Sequence, residues 1–287
     1  MSIQIAHFKH KLGKVLANAA TSETKAPLVD TEVVTSDPRS IVSFRCNICG
    51  KSNTVRAEQI AREIPSCAGC GSTVRFRAII DLLLTGLFGD HLRLDEMPVR
   101  KDIVGVGLSD AGTYSDPLTE KFDYTNTFFH CEPRLDIVNP PASAAGRYDF
   151  LISSDVFEHV VPPVSKAFSN ARRMLKPGGV FVFTVPFGNE GDTIEHFPNL
   201  HDYRICEEHG GWTLHNRTAD GRYETFTDLV FHGGPGDTLE MRVFSRAGLE
   251  REFARAGFKD VRVASEPCFT HGIIWPEDWS VPIVARA

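Results

Sequence analysis

Tyr148-Asp-Phe-Leu-Ile-Ser-Ser-Asp-Val-Phe-Glu-His-Val160 is the stretch on which the reading of this sequence turns. It opens as a short, nearly continuous apolar run and breaks into small, acidic residues at Ser153 to Asp155, the pattern of a strand covered on both faces. Pro162-Pro163 then introduces a segment with apolar residues at Val164, Phe168, Ala171 and Leu175, a helical spacing. Proline suits the first turn of that helix, Lys176 its negative end, and Gly178-Gly179 its termination. A second apolar strand follows, Val180-Phe-Val-Phe-Thr-Val-Pro-Phe187. Strand, crossover helix and strand form one parallel unit, so the fold class is α/β.

Upstream, Ile103-Val-Gly-Val-Gly-Leu108 is an earlier strand that runs into a Gly-x-Gly turn, where missing side chains let a ligand approach the backbone. Asp110 stands where a dinucleotide site would carry its third glycine. A carboxylate there repels a pyrophosphate but can pair with an ammonium, which points to a nucleoside without phosphates. An ordinary turn with Asp110 as a helix cap is the competing reading. Tyr124-Thr-Asn-Thr-Phe-Phe129 is the next strand, and Glu132 and Asp136 are the first acids beyond it, either of them a ribose ligand or a surface charge. Too few residues separate this region from Tyr148 for a full helix, so the crossover is abbreviated.

Downstream, Ser245 to Phe258 reads as a helix with Leu249, Phe253 and Ala256 on one face and Gly257 at its end. It leads into Val261-Arg-Val-Ala264, beside which Val281-Pro-Ile-Val284 can return antiparallel.

Seven cysteines are present, and four fall as Cys46-Asn-Ile-Cys49 and Cys67-Ala-Gly-Cys70, with seventeen residues between the pairs. This is zinc-ribbon spacing: each pair makes a tight knuckle, and Gly50 and Gly71 supply the positive φ behind it. Four sulfur ligands leave no open position for water, so the ion is structural. The alternatives, a disulfide pair or a redox dithiol, lack the oxidising context they need. Cys131, Cys206 and Cys268 are scattered and read as small hydrophobes. Ser72 to Arg77 reads as a last ribbon strand entering an apolar helix from Ala78, which Gly86 and Gly89 end.

The block from Tyr148 to Phe187 resembles the class I S-adenosylmethionine (SAM)-dependent methyltransferases, in particular the quinone-biosynthesis-like branch, through its S-x-V-x-E-H-V strand end and L-K-P-G-G turn. The similarity extends over about 99–287. It implies a Rossmann-like, doubly wound, mostly parallel sheet with a C-terminal antiparallel hairpin, here preceded by the ribbon. It also implies that Gly105, Gly107 and Asp110, with Ser109 in the same turn, lie along the methionine part of SAM. Asp136 and Ile137 then lie near adenine, Glu132 or Asp136 at the ribose, and Ser154 and Asp155 beneath the cofactor. The glycine motif is shorter than the family's, and His130-Cys131 replaces the acid expected after the second strand.

The resulting organisation is a helix and tether over 1–40, a ribbon over 41–77, a linking helix over 78–98 and a methyltransferase domain over 99–287. A histidine-rich, aromatic insertion at about 188–242 leaves a strand end and is the candidate acceptor lid. Transfer to a hydroxyl needs alignment, exclusion of water and removal of a proton. His159, His196, His201 and His232 are candidates for the last, with Glu158 and Glu195 as orienting acids. The resemblance also allows Glu158 and His159 to help hold a divalent cation, as in some quinone-pathway relatives, without a third ligand visible in the sequence.

The net charge of −6 gives no global basic footprint for duplex nucleic acid or an anionic membrane. No run reaches the ~18 apolar residues of a membrane span, and no secretory signal is evident, so the expected location is cytoplasmic. The leading expectation is therefore a methyltransferase acting, at oxygen ahead of nitrogen or carbon, on a small-molecule or sugar acceptor. An RNA or protein methyltransferase is the second expectation, testable by whether Arg45, Arg56, Arg75 and Arg77 share one basic face. A non-catalytic SAM-fold binding protein is the third.

Overall fold

The computed structural model describes residues 40–208, 210–234, 236–276 and 279–287; the N-terminal helix and tether lie outside the described residues, apart from Ser40. Strands β1 (Ile41–Arg45) and β2 (Ser52–Arg56) pair antiparallel around the first cysteine knuckle. The second knuckle leads directly into helix α1 (Val74–Phe88). The strand expected over 72–77 is thus the start of a helix. Thr73 caps it by accepting the Phe76 amide, which fixes the backbone in the helical turn. Gly89, in the left-handed region, ends it, whereas Gly86 lies inside it. A Cβ at Gly86 would come within 2.8 Å of Val180, so its absence lets α1 lie close on the sheet.

That sheet has six strands: β3 (Arg100–Leu108), β4 (Phe122–Thr127), β5 (Tyr148–Ser154), β6 (Leu175–Thr184), β7 (Lys259–Val263) and β8 (Ile283–Arg286). Their order is β7-β8-β6-β5-β3-β4. The four strands from β3 to β6 are parallel, while β8 runs antiparallel to both β6 and β7. This is the doubly wound sheet with a C-terminal antiparallel pair expected from the sequence. Helices α2 (Gly112–Lys121), α3 (Ser165–Met174) and α4 (Arg246–Ala256) complete the layers. Between β4 and β5 the described chain makes one short 3-10 turn, Ala142–Ala144, in place of a crossover helix.

Alternation along the strands assigns each face. Phe150, Ile152, Val180 and Val182 pack in the cluster that holds α1 and α2. Leu151, Phe181 and Phe183 pack in the cluster of α3 and α4, where Phe253 lies 5.2 Å from Phe168 and 5.5 Å from Phe183, centroid to centroid. The ribbon shares the first of these clusters. Phe44, Cys46, Ile48 and Cys67 are buried among the same residues as Ile79, Ile80 and Tyr114, so the cysteine module is packed onto the sheet's own helix layer.

The insertion is a third body of packing. Asp202–Glu208, Gly211–Arg217 and Tyr223–Phe226 form an antiparallel meander, and Phe197, Leu214, Leu239 and Met241 form its core. The strand Arg242–Ser245 ties its base down, pairing with Phe187-Gly188 on one side and Ile194-Glu195 on the other.

Gly105 sits inside β3 with the Phe150 ring where its side chain would be: an added Cβ would lie 2.0 Å from that ring. Gly105→Ala must therefore displace a core phenylalanine, and overpacking of this kind costs roughly 1–3 kcal/mol. Urea unfolding should show a loss of at least that size; unchanged stability would contradict this packing.

Candidate active site

The carboxyl edge of the parallel strands gathers the predicted cofactor residues. After β3 the chain turns through Ser109, exposed and at φ 57°, and Asp110 is buried behind it. Asn126 brackets the turn, accepting the Asp110 amide at 2.9 Å and donating to its carbonyl at 2.8 Å. Both Asp110 carboxylate oxygens receive tyrosine hydroxyls, from Tyr114 at 2.7 Å and Tyr124 at 2.5 Å. Gly105 and Gly107 lie within the strand, not in the turn; the space of the missing Gly107 side chain is filled by the Tyr124 hydroxyl and the Asp110 carboxylate. Asp136 caps the turn beyond β4, accepting the Val138 amide at 2.8 Å and the Asn139 side chain at 3.1 Å. Ile137 is buried beside it, and Glu132 is exposed, accepting the Arg134 amide.

Ser154 and Asp155 end β5, and here the cysteine module enters the site. Asp155 is held at φ 55°, with its amide on Thr184 O and its carboxylate accepting the Thr184 hydroxyl at 3.0 Å. Arg62, from the loop between the knuckles, donates to both Asp155 oxygens, at 2.8 and 3.2 Å. Arg75, from the first turn of α1, approaches Asp155 at 3.3 Å and donates to Ser154 Oγ. Glu63 accepts from Arg75 at 2.7 and 2.8 Å and also pairs with Arg62. Burial by itself would raise the Asp155 carboxyl, but the charges of Arg62 and Arg75 hold it well below the usual range.

These contacts settle the question of a basic face. Arg75 is paired inside the site, and Arg77 is fully buried, donating to Ser72 O, Ser66 Oγ and Gly272 O. Arg45 and Arg56 are exposed and paired with Glu96 and Glu58. The four arginines do not form one continuous surface.

Three of the four candidate histidines come together on the insertion side. His159 Nδ1 donates to Leu239 O at 2.9 Å, so its Nε2 is left to accept from His232 Nδ1, 3.1 Å away. His232 Nε2 faces Glu240 at 3.2 Å, and His196 Nε2 faces the other Glu240 oxygen at 2.9 Å. Against burial, which raises it, hydrogen bonds from His196 and His232 hold the Glu240 carboxyl down at about 2. Glu240 is therefore an ionised acceptor at neutral pH. Burial brings His159 down to about 4, consistent with a neutral ring. His201 stands apart, with its amide on Asn216. Glu195, read as an orienting acid for a histidine, instead accepts from Arg242 at 2.7 Å, and Arg242 also donates to Phe157 O.

Glu158 lies at the junction of the two groups. It is 1% exposed, neither carboxylate oxygen has a hydrogen-bond partner, and burial and the nearby Asp155 charge push it well above the ordinary range. Glu158, His159 and His232 each present a ligand atom within 4.8 Å of the others, so His232 is the residue the fold brings beside the Glu158-His159 pair, although His232 Nδ1 is engaged with His159 Nε2. Glu240, Arg62 and Arg242 were likewise missed; no local pattern marks them, and each gains its role from a distant partner.

The four cysteines converge as well. Cys46 and Cys70 sulfurs are 3.8 Å apart, Cys49 and Cys67 sulfurs 3.6 Å, and all four lie within 4.8 Å. A tetrahedral ion with Zn–S bonds of ~2.3 Å has sulfur–sulfur edges of ~3.8 Å, so the donor set fits zinc.

With this geometry in view, the comparisons are consistent. The family model for a methyltransferase domain matches residues 85–263, and the chain belongs to that family. It is a class I SAM-dependent methyltransferase. Among solved structures, it is similar to a SAM-dependent methyltransferase from Clostridium acetobutylicum at 16% identity, over 65% of this chain and 85% of that one, with a TM-score of 0.35. It is similar to the 1,6-didemethyltoxoflavin-N1-methyltransferase from Burkholderia thailandensis at 14% identity, over 74% and 77%, with a TM-score of 0.40. A sugar N-methyltransferase from Streptoalloteichus sp is similar at 13% identity, over 64% and 79%, with a TM-score of 0.37. A comparison with curated proteins gives no match.

Burial carries the Asp110 carboxyl up to about 7, and the hydrogen bonds from Tyr124 and Tyr114 only partly offset it. A folded-state value raised above ~3.9 contributes stability below that pH, and the contribution is lost as pH climbs through about 7. Between pH 5 and 8 the wild type should therefore lose roughly 2–3 kcal/mol relative to Asp110→Asn in urea unfolding. A difference that stays constant across this range would contradict a protonated, buried Asp110.

Proposed function

We propose that this enzyme transfers the methyl group of SAM to a small-molecule or sugar acceptor, at oxygen, between the strand edge and the insertion. The observation that carries the reading is the hydrogen-bonded chain His159–His232–Glu240–His196. It leads from the end of β5 to a cavity of about 300 Å³ in the insertion, whose walls include His196, Phe197, Phe226 and Glu240. A mixed apolar and titratable wall of that size suits a small acceptor that must lose a proton.

On this reading Ser109, Asp110, Glu132, Asp136, Ile137, Ser154 and Asp155 form the SAM site, with Gly105 and Gly107 shaping the strand beneath them. Glu132 and Asp136 are the acids at that edge which solvent reaches and which can accept from ribose hydroxyls, while Asp110 and Asp155 are already paired with tyrosines and arginines and shape the edge. SAM supplies a methyl group already activated by its sulfonium. The chain's own residues align the acceptor, exclude water and accept its proton. His196 is the base at the cavity wall, and Glu240 stabilises the imidazolium that results. His159 and His232 continue the path inward, and His201 is the remaining candidate. Cys46, Cys49, Cys67 and Cys70 hold a structural zinc in a ribbon over 41–73, which α1 (Val74–Phe88) joins to the catalytic domain by packing on its sheet. No helix of the described residues is long and apolar enough to cross a membrane, and a cytoplasmic location accords with the proposed acceptors.

Incubation with tritiated-methyl SAM and fractionated cell extract tests the acceptor class. The label is expected in a small-molecule or sugar fraction; label in RNA or protein would overturn that class. His196→Ala should lower kcat by about 10²- to 10⁴-fold with SAM affinity unchanged, the size of a lost general base. Separately, Asp110→Ala combined with Asp136→Ala should weaken SAM binding in calorimetric titration. An unchanged Kd would show that the cofactor pocket is wrongly assigned.

A further inference from the structure

Cys268-Phe-Thr-His271-Gly272 repeats the design of the two cysteine knuckles with a histidine as its second ligand. In each case two residues separate the ligand positions, and the glycine that follows is left-handed: Gly50 at φ 73°, Gly71 at 71° and Gly272 at 65°. In each case the first ligand residue donates its amide to the carbonyl five residues on. Those bonds are Cys46 to Lys51 at 2.9 Å, Cys67 to Ser72 at 3.3 Å and Cys268 to Ile273 at 2.8 Å. The third turn is wound slightly tighter, with the His271 amide on Cys268 O at 3.1 Å and the Gly272 amide on Phe269 O at 3.0 Å. A backbone of this kind aims two side chains at one point.

What lies at that point is Asp81, an acid on the buried face of α1. Asp81, Cys268 and His271 each present a ligand atom within 4.8 Å of the others. His271 Nδ1 is 3.1 Å from Asp81 Oδ1, and His91 Nδ1 reaches the same carboxylate at 2.9 and 3.0 Å. Asp81 and His271 are buried, while the His91 side chain is 59% exposed, so the cluster has one solvent-facing edge. A carboxylate in an apolar helix face needs a compensating charge.

We propose that Asp81, Cys268 and His271 form a second zinc site, separate from the four-cysteine cluster, with His91 holding the Asp81 carboxylate from its solvent side. One oxygen, one sulfur and one ring nitrogen are ligands zinc accepts, with water able to complete the tetrahedron, and a carboxylate with a thiolate balances its two positive charges. The site fastens the segment between β7 and β8 to α1. It also meets the ribbon, because Arg77 donates both to Ser66 and Ser72 at the second cysteine knuckle and to Gly272 O at the third turn, while Phe44 packs on Gly272.

Zinc per chain, measured by mass spectrometry on the full-length protein after exhaustive dialysis, tests this. Two zinc ions are expected in the wild type and one in Cys268→Ser and in His271→Ala, with X-ray absorption showing loss of the nitrogen and oxygen shell. One zinc in the wild type that disappears in Cys268→Ser would uphold the new site and remove the ribbon's. Equal zinc content in the wild type and both variants would leave Asp81 and His271 as a plain ion pair and overturn the proposal. Should either buried variant fail to fold, the exposed His91→Ala decides: it should release one zinc to a chelator about 10-fold faster or more, and an unchanged release curve would overturn the site.

Discussion

The half-buried carboxylate of Asp155, at the end of the central strand β5, is the constraint around which this protein is arranged. A charge removed from bulk water needs partners, and removing one side of such a pair is strongly destabilising. Both of its cationic partners come from outside the sheet: Arg62 from the loop between the two cysteine knuckles, Arg75 from the helix that follows them. Glu63 balances the second positive charge, so two acids and two arginines form a closed quartet on the strand edge. The cysteine module therefore contributes side chains to the carboxyl edge of the parallel strands. Its buried residues in the α1–α2 layer give the same result from packing.

On the other side of β5 the constraint is one of donors and acceptors. Leu239 O fixes the tautomer of His159, His159 fixes the role of His232, and Glu240 joins His232 to His196. Arg242, fully buried, holds both Phe157 O and Glu195, so the base of the insertion is clamped to the turn that carries Glu158 and His159. The insertion is thereby placed relative to the strand edge by polar contacts, while its own small core keeps its shape.

Much of the fold was legible because its signals are local. The unit from Tyr148 to Phe187 carries its own periodicity and breakers, the cysteine pairs their own spacing, and the short span between β4 and β5 required the abbreviated crossover that is found. The start of α1 was misread because Thr73, a short polar residue among β-formers, acts as a helix cap. The candidate site was legible only in its histidines and strand-end acids. Arg75 meets Ser154 across 79 residues and Arg77 meets Gly272 across 195, and no spacing rule relates such positions. Gly105 and Gly107 illustrate a subtler limit: the sequence marks them as places without side chains, but whether a ligand or a neighbouring ring fills the space is decided by Phe150 and Tyr124.

The central claim is that the cysteine module and the methyltransferase sheet build one cofactor site through Arg62, Arg75 and Asp155. Calorimetric titration of SAM into the full-length protein, before and after removal of zinc by a chelator, tests it most directly. Binding in the zinc-loaded protein, and its loss once the knuckles no longer hold the two arginines in place, is the expected result. Equal affinity in both forms would show that the cofactor pocket is complete without the module and would contradict the account.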